Sequence, residues 1–379
     1  MSLQSGHSVH EAREECVDAL VVGGGVVGLF CALYLADAAY ETVLLEKNSR
    51  CGEETSTRNS GVMHAGLYYK PGSLKARLCV RGRALLEEWC RRLNVTHRIC
   101  GKLVVASEQS EIPKLESIYR QASGCGAEKL RLLEAEEARH LEPHVKISAA
   151  MLSAGTGIVD QSELVQRVRG AAEERGALVL CDSEVIDAEE CGGFWRVVTR
   201  GRGAVSARLV VNCAGLYSDL VADMLGDTRH VIYPCRGEYC SVVPSRRTLV
   251  GRLVYPVPHD SVSLGVHFTP TVGGELLAGP SARYIAERND YESERLDATE
   301  FHRAGVKLIP GLRLSDLRLS YSGIRPKRVP EGAPAADFLI ERSPAYPNAI
   351  NLVGIESPGL TASPAIAEAV LEMAHETLR

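Results

Sequence analysis

The hydrophobic positions change their period within thirty residues of Val17. Ala19-Leu20-Val21-Val22 is a continuous apolar run, the pattern of a strand buried on both faces. Gly23-Gly24-Gly25-Val26-Val27-Gly28 follows, and Leu29 to Ala36 then suits a helix packed on a sheet. Thr42-Val43-Leu44-Leu45 gives a second buried strand, closed by Glu46. The order predicts one strand–turn–helix–strand unit.

Downstream, Leu74, Leu78, Leu85, Leu86, Trp89 and Leu93 recur at helical spacing over 73–93, with Ser73 as cap. A strand is expected over 100–106, a helix over 108–123 entered through Pro113, and a short helix over 134–141 ending before Pro143. Residues 160–175 predict a helix stopped by Gly176. Strands are expected at 177–181, 194–199 and 208–213. From Val231 to Gly279 short strands with Pro and Gly punctuation suggest an antiparallel sheet. A helix at 297–308 and strands at 317–325, 337–341 and 349–353 precede a closing helix over 361–378, with Ser363 as cap and Pro364 in its first turn. The whole reads as α/β (α+β overall): a Rossmann-like dinucleotide domain from segments 17–75, 150–228 and 318–379, and an inserted antiparallel-sheet substrate domain from 76–149 and 229–317.

Composition narrows the classes. The chain has 379 residues, 45% of them hydrophobic, enough for two domains with a large core. A net charge of −5 argues against nucleic-acid binding. No apolar run approaches the roughly 18 residues of a membrane span. Met1 to Val17 carries Glu11, Glu14 and Glu15 and reads as a disordered lead-in rather than a signal or transit peptide. A cytoplasmic location is expected, with a mitochondrial one if a targeting segment is missing, and peripheral membrane contact if a quinone takes the electrons. Twelve cysteines without a C-x-x-C pair, several at core positions (Cys31, Cys79, Cys90, Cys213), read as reduced buried thiols. No metal site is expected: Pro143 breaks the helical face that His140 and His144 would need.

The glycine turn carries the chemistry. It fits G-x-G-x-x-G, with Gly23, Gly25 and Gly28 at the glycine positions. Glycines there let the backbone approach a pyrophosphate, and the amides at the helix start, near Val26 and Val27, meet its charge. Glu46 stands where an acid can hydrogen-bond a ribose hydroxyl, with Lys47 beside it. A second apolar strand ends in Ala214-Gly215, where small residues again admit a cofactor. No second G-x-G-x-x-G exists, which disfavours a dedicated nicotinamide site. Electrons are then expected to enter from an organic substrate and leave to a quinone, a carrier protein or oxygen.

TSTRNSGVMHAGLYYKPGSLKARLCVRG from Thr55, GIVDQSELV, VVNCAGLYSDLVADM, YPCRGEY, YPVPHDSVSLGVHFTP, GIRPK and SPGLTASPAIAE together closely resemble the FAD-dependent L-2-hydroxyglutarate dehydrogenase family, within the D-amino-acid oxidase superfamily. The likeness is strong from Asp18 to Phe268 and looser from Ala278 onward; Ile355-Glu356-Ser357-Pro358-Gly359-Leu360 departs from the family's Asn-Ala-Pro-Ser-Pro-Ala. The resemblance implies FAD as cofactor and oxidation of an L-2-hydroxy acid to the 2-oxo acid by hydride transfer to flavin N5. It brings Thr57, Arg58, Asn59, Ser60 and Gly61 along the cofactor, with Val185 and Gly323 as further contacts. Gly359, Leu360 and Thr361 would offer a helix start to the reduced flavin's charge.

Oxidising a hydroxy acid needs a base for the hydroxyl proton and a cation for the carboxylate. Neutral imidazole suits the first near pH 7. His64 and His267 lie in motif-bearing segments, and the sequence does not rank them. Arg325 is the candidate clamp, since a guanidinium pairs with both carboxylate oxygens. Arg236, Tyr239, Tyr255 and Tyr69 are weaker substrate candidates. Same-fold alternatives are oxidation of glycerol 3-phosphate, oxidation of an amino acid such as glycine or sarcosine, and flavin binding without turnover.

Overall fold

The computed structural model describes residues 16–258 and 265–379. The expected lead-in over residues 1–15, and residues 259–264 inside the motif that starts at Tyr255, lie outside the described residues. Val17 is not lead-in: it already pairs within the first strand.

Five parallel strands form the nucleotide layer: β1 (Cys16–Val22), β2 (Thr42–Leu45), β3 (Leu178–Leu180), β4 (Gly203–Asn212) and β5 (Ala349–Val353). Their order is β3-β2-β1-β4-β5. Val22 is level with both Leu45 and Asn212, so the strands end together at one edge. In open α/β sheets ligands bind outside such carboxyl ends. The first half of β4 also pairs antiparallel with Trp195–Thr199.

Helix α1 (Val26–Asp37) is buried along nearly its whole length, from Val26 to Ala36, because it is packed on every side. The sheet lies beneath it, and α2 (Leu74–Arg92), α3 (Gln161–Glu174) and α4 (Gly359–Leu378) join the same core. Caps fall where side-chain chemistry dictates. Ser73 Oγ accepts from the Ala76 amide at 3.1 Å, and Asp160 accepts from Ser162 and Glu163 at 3.0 and 2.9 Å.

The closing helix begins earlier than expected, at Gly359 rather than Thr361. Ser363 and Pro364 sit inside it. Pro364 has no N–H for the Leu360 carbonyl, and Ser363 Oγ donates to that oxygen instead at 2.8 Å. A proline is thereby carried without breaking the helix.

The second layer is a nine-stranded sheet. Its longest pair joins Tyr233–Val242 to Leu317–Lys327, with Cys235 opposite Arg325 and Gly237 opposite Gly323. Lys102–Ala106 runs parallel to Leu253–Pro256, and His267–Pro270 lies beyond that strand. The layers exchange segments differently from the expected division. Ala149–Ser153 and Leu317–Lys327 are bonded into the substrate sheet, while α2 packs in the nucleotide core. Among the described residues no helix is long and apolar enough to cross a membrane. The twelve cysteines are all unbridged.

Candidate active site

A cavity of about 1440 Å3 runs from the carboxyl edge of the nucleotide sheet to the face of the substrate sheet. That exceeds the roughly 300–1,000 Å3 of an ordinary small-molecule site. It has room for a dinucleotide and a substrate in line.

The nucleotide end is built from backbone. Gly23 has a φ of +109°, and a Cβ there would lie 2.5 Å from the Cys213 carbonyl oxygen. A Cβ on Gly28 would come within 2.0 Å of the Gly23 carbonyl oxygen. Only glycine lets the turn fold back on its own helix, and Gly28 serves that packing without lining the cavity. Gly25 caps α1 with no side-chain hydrogen bond, no acid follows in the first turn, and Val27 there lines the cavity. The Val26 amide is taken by Ser56 Oγ at 2.9 Å, a partner that sequence reading missed because Ser56 lies thirty positions away.

Glu46 is buried, yet its carboxylate is not idle. It accepts from the Gly24 amide at 2.7 Å and from the Asn48 amide at 2.8 Å, and the residue lines the cavity. Burial pushes its carboxyl upward against these two amide bonds. Lys47 pairs with Glu54 at 2.6 Å and lies 3.4 Å from the centre of the Tyr217 ring. At the end of β4, Gly215 has a φ of +55° and a Cβ there would meet nothing within 4 Å, so open space adjoins it. Ala214 and Val185 line the same end.

The loop after β2 threads along the cavity. Arg58, Asn59 and Ser60 line it; Thr57 and Gly61 do not. Thr57 Oγ1 donates to the Gly52 carbonyl at 2.7 Å, and a Cβ on Gly61 would strike the Val159 carbonyl oxygen. Asn59 spends its side chain on the loop itself, donating to Thr55 and Ser56 carbonyls and accepting from the Gly61 amide. Gly323 lines the cavity and also lets Arg58 pass, since a Cβ would sit 1.9 Å from the Arg58 carbonyl oxygen. Gly359 and Leu360 bring the start of α4 to the cavity. Thr361 stays behind them: its hydroxyl accepts from the His64 amide and donates to the Val62 carbonyl.

The substrate end is built from side chains. His64 and His267 both line it, and burial disfavours a proton on each. Burial drives His64 well below the ordinary imidazole range, with the charges of Lys102 and His267 acting in the same direction. His267 is driven down to about 3, chiefly by burial, against a Gly265 carbonyl that favours its proton. That carbonyl lies 2.8 Å from Nδ1. In the tautomer where Nδ1 donates, Nε2 carries a free lone pair. The His267 ring stacks on Tyr255 at 3.6 Å. His64 Nε2 lies 3.3 Å from Ser357 Oγ, just ahead of α4.

Arg325 lines the cavity with its guanidinium lying over Gly237, where a Cβ would come within 2.6 Å of Nη2. Both Nη atoms donate to the Ser281 carbonyl, at 3.3 and 3.2 Å. Tyr239, Tyr255 and Tyr69 line the cavity too. Arg236 does not, correcting its expected place toward the substrate. It is fully buried on the opposite face, where it pairs with Glu238 at 3.2 Å and donates to the Asp290, Ser293 and Glu294 carbonyls. Two further groups escaped sequence reading. Glu356 bridges Lys75 at 2.9 Å and Lys327 at 2.8 Å on the cavity wall. Lys102, fully buried in the substrate sheet, lies 3.9 Å from the centre of the Tyr255 ring.

A glycine cradle with a buried acid, continuous with a pocket of neutral imidazoles and a guanidinium, fits a flavin dinucleotide with an anionic reductant beside it. The family comparison decides the matter: residues 18–373 match the DAO model, FAD dependent oxidoreductase. The chain belongs to this family. It is an FAD-dependent oxidoreductase, which sets aside flavin binding without turnover. Among curated relatives, L-2-hydroxyglutarate dehydrogenase, mitochondrial, of Arabidopsis thaliana is 34% identical, covering 94% of this chain and 83% of its own. The glycerol 3-phosphate dehydrogenase of Caloramator mitchellensis is 32% identical, covering 94% and 73%. The FAD-bound, dithionite-reduced L-alpha-glycerophosphate oxidase of Mycoplasma pneumoniae superposes with a TM-score of 0.88 at 26% identity, covering 95% of both chains.

Proposed function

We propose that this flavoenzyme oxidises the CH–OH group of an L-2-hydroxy acid, L-2-hydroxyglutarate, to the 2-oxo acid. The observation that carries the reading is the joint presence, in one cavity, of two neutral imidazoles and the Arg325 guanidinium beside a dinucleotide cradle. The relatives named for L-2-hydroxyglutarate support it.

In this reading Arg325 receives the carboxylate next to the carbinol carbon. Ser281 takes part of its hydrogen-bonding capacity and fixes the plane of the fork, so the remaining N–H groups are preset for the substrate. One of the pair His64 and His267 removes the hydroxyl proton. Both are unprotonated at neutral pH, as a base must be. Tyr255 and Tyr239 wall the substrate end and exclude water. Bound FAD supplies the hydride acceptor. The electrons then pass to a quinone, a carrier protein or oxygen, and the reaction sits in the cytoplasm or the mitochondrion.

Glycerol 3-phosphate is the second reading, favoured by the Caloramator relative. It asks the same of the base and replaces the carboxylate by a phosphate. Anaerobic mixing of the holoenzyme with L-2-hydroxyglutarate, its D-enantiomer, sn-glycerol 3-phosphate and glycine separates these. Rapid bleaching of the flavin by the L-hydroxy acid alone is expected. Bleaching by glycerol 3-phosphate, with L-2-hydroxyglutarate inert, would overturn the assignment.

A further inference from the structure

Lys102 opens the strand Lys102–Ala106 in the middle of the substrate sheet, between Leu253 on one side and Ser153 on the other. It is 0% exposed, and among the described residues its ammonium has no hydrogen-bond partner. An unpaired buried ammonium is expensive, and folds carry one only where something compensates. Its surroundings are the back of the catalytic wall. Nζ lies 3.9 Å from the centre of the Tyr255 ring and 5.8 Å from that of Tyr68. Tyr255 in turn stacks on His267. The titratable groups around it are Tyr68 and His64 from the segment before α2, Cys79 from α2, Cys100 ahead of its own strand, and Tyr255 and His267 from the neighbouring strands; Arg325 adds its charge at His267. Among the described residues no carboxylate acts on its charge.

We propose that Lys102 is a positioning residue of the active site: its buried ammonium, lying on the Tyr255 ring that stacks on His267, sets a positive charge behind the cavity's imidazoles that adds to burial in opposing their protonation. The inference rests on the proton-abstraction reading above. Order of titration supports it. Burial lowers the lysine to about 7, still far above His267 at about 3. As the solution turns acid, the lysine takes its proton first, and that charge then opposes protonation of the histidines. An acid entering the cavity charges the wall before it can disable the base.

The arrangement costs stability, with a definite sign. The unfolded lysine protonates near 10.5 and the folded one near 7. Between these values the unfolded chain binds the extra proton, so stability falls as pH falls from 10.5 to 7 and the loss is constant below 7. A lysine whose folded pKa is raised by an ion pair would do the reverse.

The test uses the FAD-loaded enzyme as wild type, Lys102→Met, Lys102→Gln and Lys102→Arg. Histidine-selective isotope labelling with NMR titration reads the protonation of His64 and His267 without turnover. Steady-state kinetics across pH reads the acid limb of kcat/KM with whichever substrate bleaches the flavin. Expected in the Met and Gln variants are an upward shift of about one pH unit in both readouts, FAD content unchanged, and a melting temperature at pH 7 no lower than wild type. The Arg variant keeps the wild-type limb. Unmoved histidine titrations would overturn the proposal, as would failure of both neutral variants to fold. If no hydroxy acid bleaches the flavin, the substrate reading fails while the NMR titration still decides the role of Lys102.

Discussion

The two ends of the cavity are built by opposite means. The cofactor end works through backbone: Gly23, Gly28 and Gly215 are there for what they lack, and one buried acid, Glu46, ties the turn together. The substrate end works through side chains contributed by distant segments. His64 follows β2 by some twenty residues, Arg325 comes from the strand Leu317–Lys327, and His267 from a third element. The difference teaches that binding a constant group and reacting with a variable one place different demands on the chain. Amides serve any pyrophosphate, whereas a substrate needs a few groups held at set positions by packing.

The comparison breaks most visibly at Gly28. A valine there places a Cβ 2.0 Å from the Gly23 carbonyl oxygen, so the turn must open. Gly28→Val is expected to yield protein without bound flavin, read as loss of the visible flavin absorbance on purification. Retention of stoichiometric FAD would show that the turn tolerates displacement and that the cofactor end does not depend on its glycine backbone.

At the other end, His64→Asn and His267→Asn should leave FAD content intact. Removing a base lowers kcat by about 10²- to 10⁴-fold. The variant with the larger loss identifies the base; equal small losses would deny either the role. The pH profile sharpens this. Both imidazoles are held below the ordinary value of 6.5, and a base is active above its pKa. The acid limb of wild-type kcat/KM should therefore lie below pH 6.5, with activity flat from there to neutrality. A limb at or above 6.5 would mean that neither buried imidazole is the base.

Arg325→Met removes charge-assisted hydrogen bonds worth about 1.5–3 kcal/mol, so KM should rise about 10- to 100-fold with FAD binding unchanged. An unaltered KM would remove Arg325 from the substrate.

The two ends also differed in how far they could be read in advance. The unit from Ala19 to Glu46 was legible because strand, turn, helix and acid are contiguous and each has its own local chemistry. The cap at Ser73 was legible for the same reason, whereas Asp160 was read as part of its helix and proves to be the cap before it. The start of α4 was not, because Ser363 and Pro364 imitate a helix start while satisfying the helix from within. Sheet membership of 149–153 and 317–327 is set by pairing with segments far along the chain, which local pattern does not encode. Arg236 failed on parity. Side chains alternate along a strand, and Cys235, Gly237 and Tyr239 face the cavity, which sends Arg236 and Glu238 to the other side. The alternation was visible, but which phase faced the substrate was not. Lys102 was hidden differently: at the head of an apolar strand, a lysine reads as a solvated end.

The smallest expected effect separates the cofactor end's one buried acid from its amides. Glu46 accepts from Gly24 through Oε2 and from Asn48 through Oε1. Glu46→Gln keeps the shape but turns one oxygen into a donor, which then faces an N–H it cannot bond. One buried amide loses its acceptor, at a cost of about 1–3 kcal/mol shared between fold and cofactor. FAD affinity is expected to weaken about 10-fold, read by fluorescence of the flavin released on dilution, with KM for the substrate unchanged. Loss of flavin on the scale of Gly28→Val would instead make the acid, and not the glycine backbone, the principal anchor of the cofactor end.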